Sequence, residues 1–325
     1  MKGYRYLKYV VCANKLTYTG GCEIGPRPID MHIKALRQMG VKVHDAHHGF
    51  LYCEVDKLKS CDIQLDFPSV GATENIMLAA VFSEGETIIR QAAKEPEIVD
   101  LQNFLIKMGV KVSGAGTSVI RITGSTKKLN NVEHNVIPDR IVAGTYLIAA
   151  GITGGDLTLK NVVAEHITSI VSYLREAGCC IDLRGDSLHI YGPARPRSID
   201  VIRTLPYPGF PTDMQSQFVS FLSIAKGTSI IVETIFDNRY KHVEELLRMG
   251  ADIKLEGRLA VIRGVEKLTG ANVCARDLRG GAALVLAALA AEGTTVISGI
   301  KHIDRGYEDI ELKLSNVGAL IERKD

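Results

Sequence analysis

The feature that most restricts this chain is a helix-ending signature that recurs five times: "LRQMGVKV", "LIKMGVKV", "LREAGCCI", "LLRMGADI" and "LSNVGALI". Its glycines, Gly40, Gly109, Gly178, Gly250 and Gly318, stand 69, 69, 72 and 68 residues apart. So constant a period makes the chain an array of similar units, which settles the architecture before any local detail. Each glycine falls just past a helix, where a positive φ carries little strain for a residue without a Cβ. The helices before it have apolar residues at helical spacing, such as Ile29, Ile33 and Leu36, or Ile98, Leu101, Leu105 and Met108. Each such helix has one face to bury.

A second helix precedes the first within each unit. "PSVGATENIMLAAVFSEGETII", "PDRIVAGTYLIAAGITGGDLTL", "PTDMQSQFVSFLSIAKGTSIIV" and "ARDLRGGAALVLAALAAEGTTVI" align with one another. Each reads as a loop, a nearly all-apolar helix, a glycine-containing turn and a β-branched strand. A helix that is apolar all round is a buried one. With further strands such as "VIRITG" and "SLHIYG", each unit of about 70 residues is a small βα module that shares a helical core with its neighbours. Four copies are whole in pattern. The first is clipped, its buried helix being expected over "YRYLKYVVCANK". The polar stretch "STKKLNNVEHN" lacks apolar periodicity and marks a domain boundary. It gives an incomplete first domain over 1–136 and a second over 137–325.

Composition removes several classes of function. With 39 basic and 37 acidic residues the net charge is +2, so nothing points to nucleic acid or an anionic membrane. No apolar run approaches the roughly 20 residues of a membrane span. "MKGYRYLKYVVCANK" lacks the apolar stretch and cleavage site of a signal peptide. The seven cysteines form no CxxC pair and read as reduced thiols of a cytosolic protein. "HDAHHG", from His44 to Gly49, reads as a hairpin turn with exposed imidazoles; side chains in so tight a turn rarely converge on a metal.

Several residues admit two readings. In "TGGCEIGPRPIDMHI", Gly20, Gly21, Gly25, Pro26 and Pro28 put Cys22 on a surface loop. It is either a small apolar residue, the usual fate of a free cysteine, or a reactive thiol favoured by Arg27 and opposed by Glu23. The apolar reading is the default for Cys12, Cys53, Cys61, Cys179, Cys180 and Cys274. "RPIDM" carries ordinary helix-start signals, with Pro28 at the first helical position, and the same free N–H groups could face a diphosphate. Thr212 and Asp213 in "GFPTDMQSQF" both suit a helix N-cap. Arg239 in "DNRY" and Arg279 in "DLRGG" read by themselves as solvated surface residues.

Taken in order, "GGCEIGPRPIDMHI", "PSVGAT", "KEPEIVD", "PDRI", "FPTDMQ", "DNRY", "DLR" and "HIDRGYE" resemble the UDP-N-acetylglucosamine 1-carboxyvinyltransferase family from about Lys15 to the C-terminus. The resemblance implies an α/β, two-domain enolpyruvyl transferase fold, an inside-out barrel of six such units, the first being missing or clipped here. No counterpart of that unit's Lys-Asn pair, which contacts phosphoenolpyruvate, is found. It implies transfer of enolpyruvyl from phosphoenolpyruvate to the 3′-hydroxyl of UDP-N-acetylglucosamine with release of phosphate. That is the first committed step of peptidoglycan synthesis, in the cytoplasm of a bacterium, and it serves cell shape and division.

The resemblance also assigns roles. Cys22 would be the acid towards the methylene carbon and the thiol alkylated by fosfomycin, a proton donor on a mobile loop. Asp213 would take the proton of the 3′-hydroxyl. Arg27, Arg239 and Arg279 would hold phosphoenolpyruvate, planar guanidinium groups suiting both phosphate and carboxylate. Arg27, Pro28, Ile29, Asp30 and Met31 would bind the UDP part with the loop Ser69, Val70 and Gly71, and Ile235 would line the substrate site. The family often has Lys where Phe67 stands. Asp139, Arg140, Asp304 and Arg305 would be ion pairs or supports of the cleft. No metal, organic cofactor, nucleic acid or membrane is implied. Two alternatives are a truncated, inactive UDP-sugar-binding homologue and a 5-enolpyruvylshikimate-3-phosphate synthase. The Cys22 loop and "GPRPID" argue against the second.

Overall fold

The computed structural model describes residues 14–17, 29–46, 50–125 and 128–324. They fall into two compact units that divide between Ile137 and Pro138.

The first unit begins with β1 (Asn14–Thr17), α1 (Asp30–Gln38), β2 (Lys42–Ala46) and β3 (Phe50–Glu54), an antiparallel sheet in the order β1-β3-β2. The helix expected over "YRYLKYVVCANK" lies outside the described residues except for Asn14 and Lys15. Those two belong to a strand, opposite Cys53 and Tyr52. Pairing with the free edge of β3 overrides the local pattern there. A complete module follows: β4 (Asp62–Gln64), α2 (Val70–Ala80), β5 (Glu86–Arg90), α3 (Pro96–Lys107), β6 (Lys111–Ser113) and β7 (Val119–Thr123), with sheet order β4-β5-β7-β6. β4 runs parallel to β5 and the other pairs are antiparallel. Helix α2 is buried as its composition requires, and Ile76 and Met77 pack with Ile89, Ile98 and Ile120.

The second unit repeats the module. α4 (Arg140–Thr153), β8 (Asp156–Leu159), α5 (Thr168–Glu176), β9 (Cys180–Arg184) and β10 (Ser187–Tyr191) form one copy. β11 (Val201–Arg203), α6 (Gln215–Leu222), β12 (Thr228–Val232), α7 (Val243–Arg248), β13 (Asp252–Glu256) and β14 (Leu259–Arg263) form the next. The last has β15 (Leu268–Thr269), β16 (Asn272–Cys274), α8 (Leu278–Leu289), β17 (Ala291–Glu292), β18 (Val296–Ser298) and α9 (Ile310–Ser315). The apolar helices α4, α6 and α8 pack on one another at the centre of this unit, with the sheets outside them. Every residue of α6 is buried, its serines and glutamines included. Ser220 Oγ donates to the Ala283 carbonyl of α8 at 2.7 Å.

All five signature glycines have positive φ, from +87° at Gly250 to +102° at Gly318. A second set of glycines serves close approach instead. A Cβ on Gly124, Gly192 or Gly264, each just after the last strand of its module, would stand 1.8, 2.4 or 1.7 Å from a carbonyl oxygen of Ser83, Ala150 or Ala225. The strand end thus crosses the C-terminal end of the buried helix where no side chain fits.

The cysteines depart from their common apolar reading. Cys179 is buried, and burial, then the neighbouring Cys180, pushes its thiol up to about 12. Cys53 and Cys61 are half-buried, while Cys180 and Cys274 are exposed. The period of a strand explains it, since neighbouring side chains point to opposite faces. Cys12 and Cys22 lie outside the described residues. Among the described residues no helix is long and apolar enough to cross a membrane, and no His, Cys, Asp and Glu side chains cluster as a metal site would need.

Candidate active site

Asp213 sits in a short 3-10 turn, Thr212–Met214, that leads into α6. Neither of the two candidate caps has the role its spacing suggests. Thr212 Oγ1 donates to Glu233 Oε2 at 2.9 Å, and no side chain caps the turn. The Asp213 carboxylate faces two arginines instead. Arg239 Nη2 donates to its Oδ1 at 2.5 Å, and Arg279 Nε stands 3.6 Å from the same oxygen.

Neither arginine is the solvated side chain that its local sequence suggests. Arg239 is 3% exposed, its guanidinium 5.4 Å from the ring centroid of Phe236. Arg279 begins α8, where Asp277 accepts from the backbone N–H groups of Arg279 and Gly280 at 3.0 and 2.8 Å. The cap fixes the helix start and so the direction in which Arg279 leaves it. Its guanidinium lies 5.7 Å from the Tyr307 ring centroid and donates from Nη1 to the Tyr307 hydroxyl at 3.2 Å. The Nε–H groups of both arginines are buried and have no hydrogen-bond acceptor among the described residues.

Burial works to raise the Asp213 pKa, but Arg279, Arg239 and Arg140 together outweigh it and hold the carboxyl below its ordinary range. The carboxylate is therefore ionised throughout the neutral range. His242, buried behind Arg239, is pushed down to about 4 by burial, against the attraction of Asp277. It is neutral at neutral pH and adds no competing charge.

Glu233 organises the neighbouring loop. Fully buried, it accepts at Oε1 from Thr204 Oγ1 and from the N–H groups of Ile235 and Phe236 at 3.0, 2.8 and 3.1 Å, and at Oε2 from Thr212. One carboxylate thus ties the turn carrying Asp213 to the segment that carries Ile235 and leads to Arg239.

Cys22, Arg27 and Pro28 lie outside the described residues. In the first unit, helix α1 starts at Asp30 with Ile29 as its N-cap. Ser69 caps α2, accepting from Ala72 N at 3.3 Å. The two helices pack together, and His32 joins them: a Cβ on Gly71 would lie 3.4 Å from its Cε1, and its Nδ1 takes a hydrogen bond from Asn75 Nδ2 at 2.7 Å. Ile29, Asp30 and Met31 therefore share a neighbourhood with Ser69, Val70 and Gly71. Burial lowers the His32 pKa, against the attraction of Asp30. Phe67 stands half out in water nearby in sequence, at 39% exposure.

The remaining candidates divide. Asp139 is a helix cap rather than an ion pair, accepting from Ile141 N and Val142 N at 2.8 and 3.0 Å. Arg140 lies over the Tyr207 ring, 5.6 Å from its centroid, and its charge bears on Asp213. Asp304 pairs with Arg323 at 2.7 Å. Three residues that local reading missed complete the second-unit site: Thr145, Gln217 and Tyr307. Gln217 was open to detection, being one helical turn past Asp213, and its Nε2 donates to the Asp213 carbonyl at 2.9 Å.

A family model described as EPSP synthase (3-phosphoshikimate 1-carboxyvinyltransferase) matches residues 4–314. UDP-N-acetylglucosamine 1-carboxyvinyltransferase 2 of Caldanaerobacter subterraneus subsp. tengcongensis is 58% identical over 308 residues, which are 95% of this chain and 73% of that one. UDP-N-acetylglucosamine 1-carboxyvinyltransferase 1 of Carboxydothermus hydrogenoformans is 57% identical over 304 residues, 94% of this chain and 72% of that one. The fold matches the crystal structure of the enolpyruvyl transferase NikO from Streptomyces tendae, with a TM-score of 0.82 at 23% identity over 94% of this chain and 73% of that one. EPSP synthase from Acinetobacter baumannii matches with a TM-score of 0.71 at 19% identity, over 100% of this chain and 79% of that one.

Proposed function

The chain belongs to the enolpyruvyl transferase family, among its UDP-N-acetylglucosamine 1-carboxyvinyltransferases, and we propose that it transfers enolpyruvyl from phosphoenolpyruvate to the 3′-hydroxyl of UDP-N-acetylglucosamine, releasing phosphate for peptidoglycan synthesis. Six relatives at 50–58% identity carry this name, whereas two EPSP synthase structures lie at 19% identity, which favours the UDP-sugar over shikimate 3-phosphate.

The observation that carries the chemistry is the pair of guanidinium groups, Arg239 and Arg279, drawn to one oxygen of Asp213, each with a buried, unspent Nε–H. A donor buried without an acceptor is costly, and an arriving anion relieves two such costs at once. Arg239 and Arg279 hold the phosphate and carboxylate of phosphoenolpyruvate, and Arg27 supplies a further cation for the same anion. As the anion binds, it offsets the positive field that keeps Asp213 so weakly basic. The carboxylate then becomes a better base where it is needed, towards the 3′-hydroxyl. Cys22 protonates the methylene carbon, the hydroxyl oxygen bonds to the adjacent carbon, and the tetrahedral adduct loses phosphate while a proton leaves the methyl group. The helix starts at Ile29 to Met31 and Ser69 to Gly71 receive the nucleotide, their free N–H groups facing diphosphate oxygens, and Ile235 lines the sugar site. This reading puts the protein in the bacterial cytoplasm, in the service of cell division and shape, with Cys22 open to alkylation by fosfomycin.

A coupled assay of phosphate release, run with both substrates and with each alone, tests the reading. Release that requires both supports it. Release with shikimate 3-phosphate in place of the UDP-sugar would assign the other enzyme. Absence of release, with calorimetric binding of the UDP-sugar, would leave a binding protein.

A further inference from the structure

The Tyr307 hydroxyl is 2% exposed in its residue and lies among the three central helices of the second unit. It meets Thr145 Oγ1 of α4 at 2.9 Å, Gln217 Nε2 of α6 at 3.3 Å and Arg279 Nη1 of α8 at 3.2 Å. The direction of these bonds follows from counting hydrogens. A guanidinium has only donors, so Arg279 gives and Tyr307 accepts. The single hydrogen of Thr145 goes to the Ile141 carbonyl at 2.8 Å. The phenol hydrogen must therefore go to Thr145. The result is a one-way relay from Arg279 through Tyr307 and Thr145 to the backbone of α4. Gln217 adds a second tie, since its amide nitrogen also holds the Asp213 carbonyl.

We propose that the Tyr307 hydroxyl is a positioning residue for the reaction: it holds the Arg279 guanidinium in place beside Asp213, and the three buried helices fix where it stands. The proposal rests on the reading of Asp213 as base and Arg279 as holder of the anionic substrate. Tyr307 itself touches neither substrate. Without its oxygen, Arg279 keeps among the described residues only the 3.6 Å approach to Asp213 and the face of a ring, neither of which fixes the rotation of a guanidinium.

The charged groups that face Asp213 are Arg279 from α8, Arg239 from the segment before α7 and Arg140 from α4. Only the first is held by Tyr307. Release of Arg279 would leave Asp213 with less positive charge close by, and its carboxyl would titrate at higher pH.

The test is Tyr307→Phe, which keeps the ring under Arg279 and removes only the acceptor, with Thr145→Val as a second variant that acts through Tyr307. For Tyr307→Phe the KM for phosphoenolpyruvate should rise about tenfold, the scale of one hydrogen bond to a charged group. The KM for the UDP-sugar should stay as it is, and the acid limb of the kcat/KM profile should move to higher pH. Thr145→Val should shift the same quantities in the same direction by less. A folded Tyr307→Phe with unchanged KM and acid limb overturns the proposal, and so does an equal rise in both KM values, which marks a general loosening. A readout independent of turnover separates this proposal from the functional reading. The Nη–H resonances of Arg279, identified by their loss in Arg279→Lys, should report restricted rotation in the parent chain and averaging in Tyr307→Phe. If the parent protein releases no phosphate, the functional reading fails, and equal rotation in both proteins would sink the positioning role separately.

Discussion

Arg239 donates to Asp213 across 2.5 Å, and the two partners are unequally placed: the arginine side chain is 3% exposed and that of the aspartate 43%. The cation is fixed in the wall while the anion looks outward. Removing the anion therefore harms more than the chemistry. Asp213→Asn should lower kcat by 10²-fold or more, about the share of a general base. It should also lower stability by about 2 kcal/mol, because a buried guanidinium loses its counter-charge; the figure is below that of a wholly buried pair because the carboxylate is partly in water. Chemical denaturation beside the phosphate-release assay checks both. An Asn variant as stable as the parent would mean that Arg239 needs no anion.

Glu233 makes a sharper stability prediction. Its four donors are two hydroxyls and two backbone N–H groups, three of them on Oε1. Glu233→Gln keeps that oxygen, and the Thr212 hydroxyl can turn to accept from the new amide, so the loss should be about 1 kcal/mol. Glu233→Ala leaves four donors without their acceptor, the fully buried Thr204 hydroxyl among them, and should cost about 3 kcal/mol, weakening binding of both substrates as the Ile235 segment loosens. Equal losses for Gln and Ala would show that volume, not acceptor count, matters at this position.

What the sequence makes legible is what lies close together in it. The period of the signature glycines, the four apolar helices α2, α4, α6 and α8, and the positive φ at Gly40 or Gly250 are local properties, and each is where pattern alone puts it. The arginines are different. Nothing near Arg239 or Arg279 tells a buried guanidinium from a solvated one, since what buries them comes from elsewhere in the chain. The Asp213–Arg239 pair spans 26 residues and the Thr145–Tyr307 bond 162. Only the match of separated segments to a family pointed to these arginines and to Asp213, and it carried no information on Tyr307 beyond its place in "HIDRGYE". The cap reading of Asp213 failed for a similar reason. Local propensity suits it to a helix start, and two distant cations outweigh one backbone N–H.

The close-approach glycines give a prediction about the fold alone. At Gly264 a Cβ would stand 1.7 Å from the Ala225 carbonyl oxygen, so backbone must move. At Gly257 nothing lies within 4 Å, and only a φ of +57° resists a side chain. Gly264→Ala should cost about 3 kcal/mol, at the upper end for overpacking, and Gly257→Ala about 1 kcal/mol for the left-handed backbone. Melting of the two variants side by side decides it. Equal shifts would mean that the strand end moves freely off the end of α6.

The lowered pKa of Asp213 sets the sign of a pH effect. A carboxyl in the unfolded chain titrates near 4, and in the folded protein Arg279, Arg239 and Arg140 hold this one lower against burial. The folded state thus binds its proton less readily. The contribution of Asp213 to stability is fully present above about pH 4 and is lost as pH falls through the lower folded value. Urea midpoints of the parent and of Asp213→Asn should differ by a constant amount from neutral pH down to about 5 and converge below about 4. Arg279→Gln removes the strongest of the three attractions, so its difference from a double variant that also carries Asp213→Asn should be smaller, and convergence should be complete at a higher pH than for the parent. A parent–Asn difference that stays constant down to about pH 2 would mean that the three arginines do not act on this carboxylate.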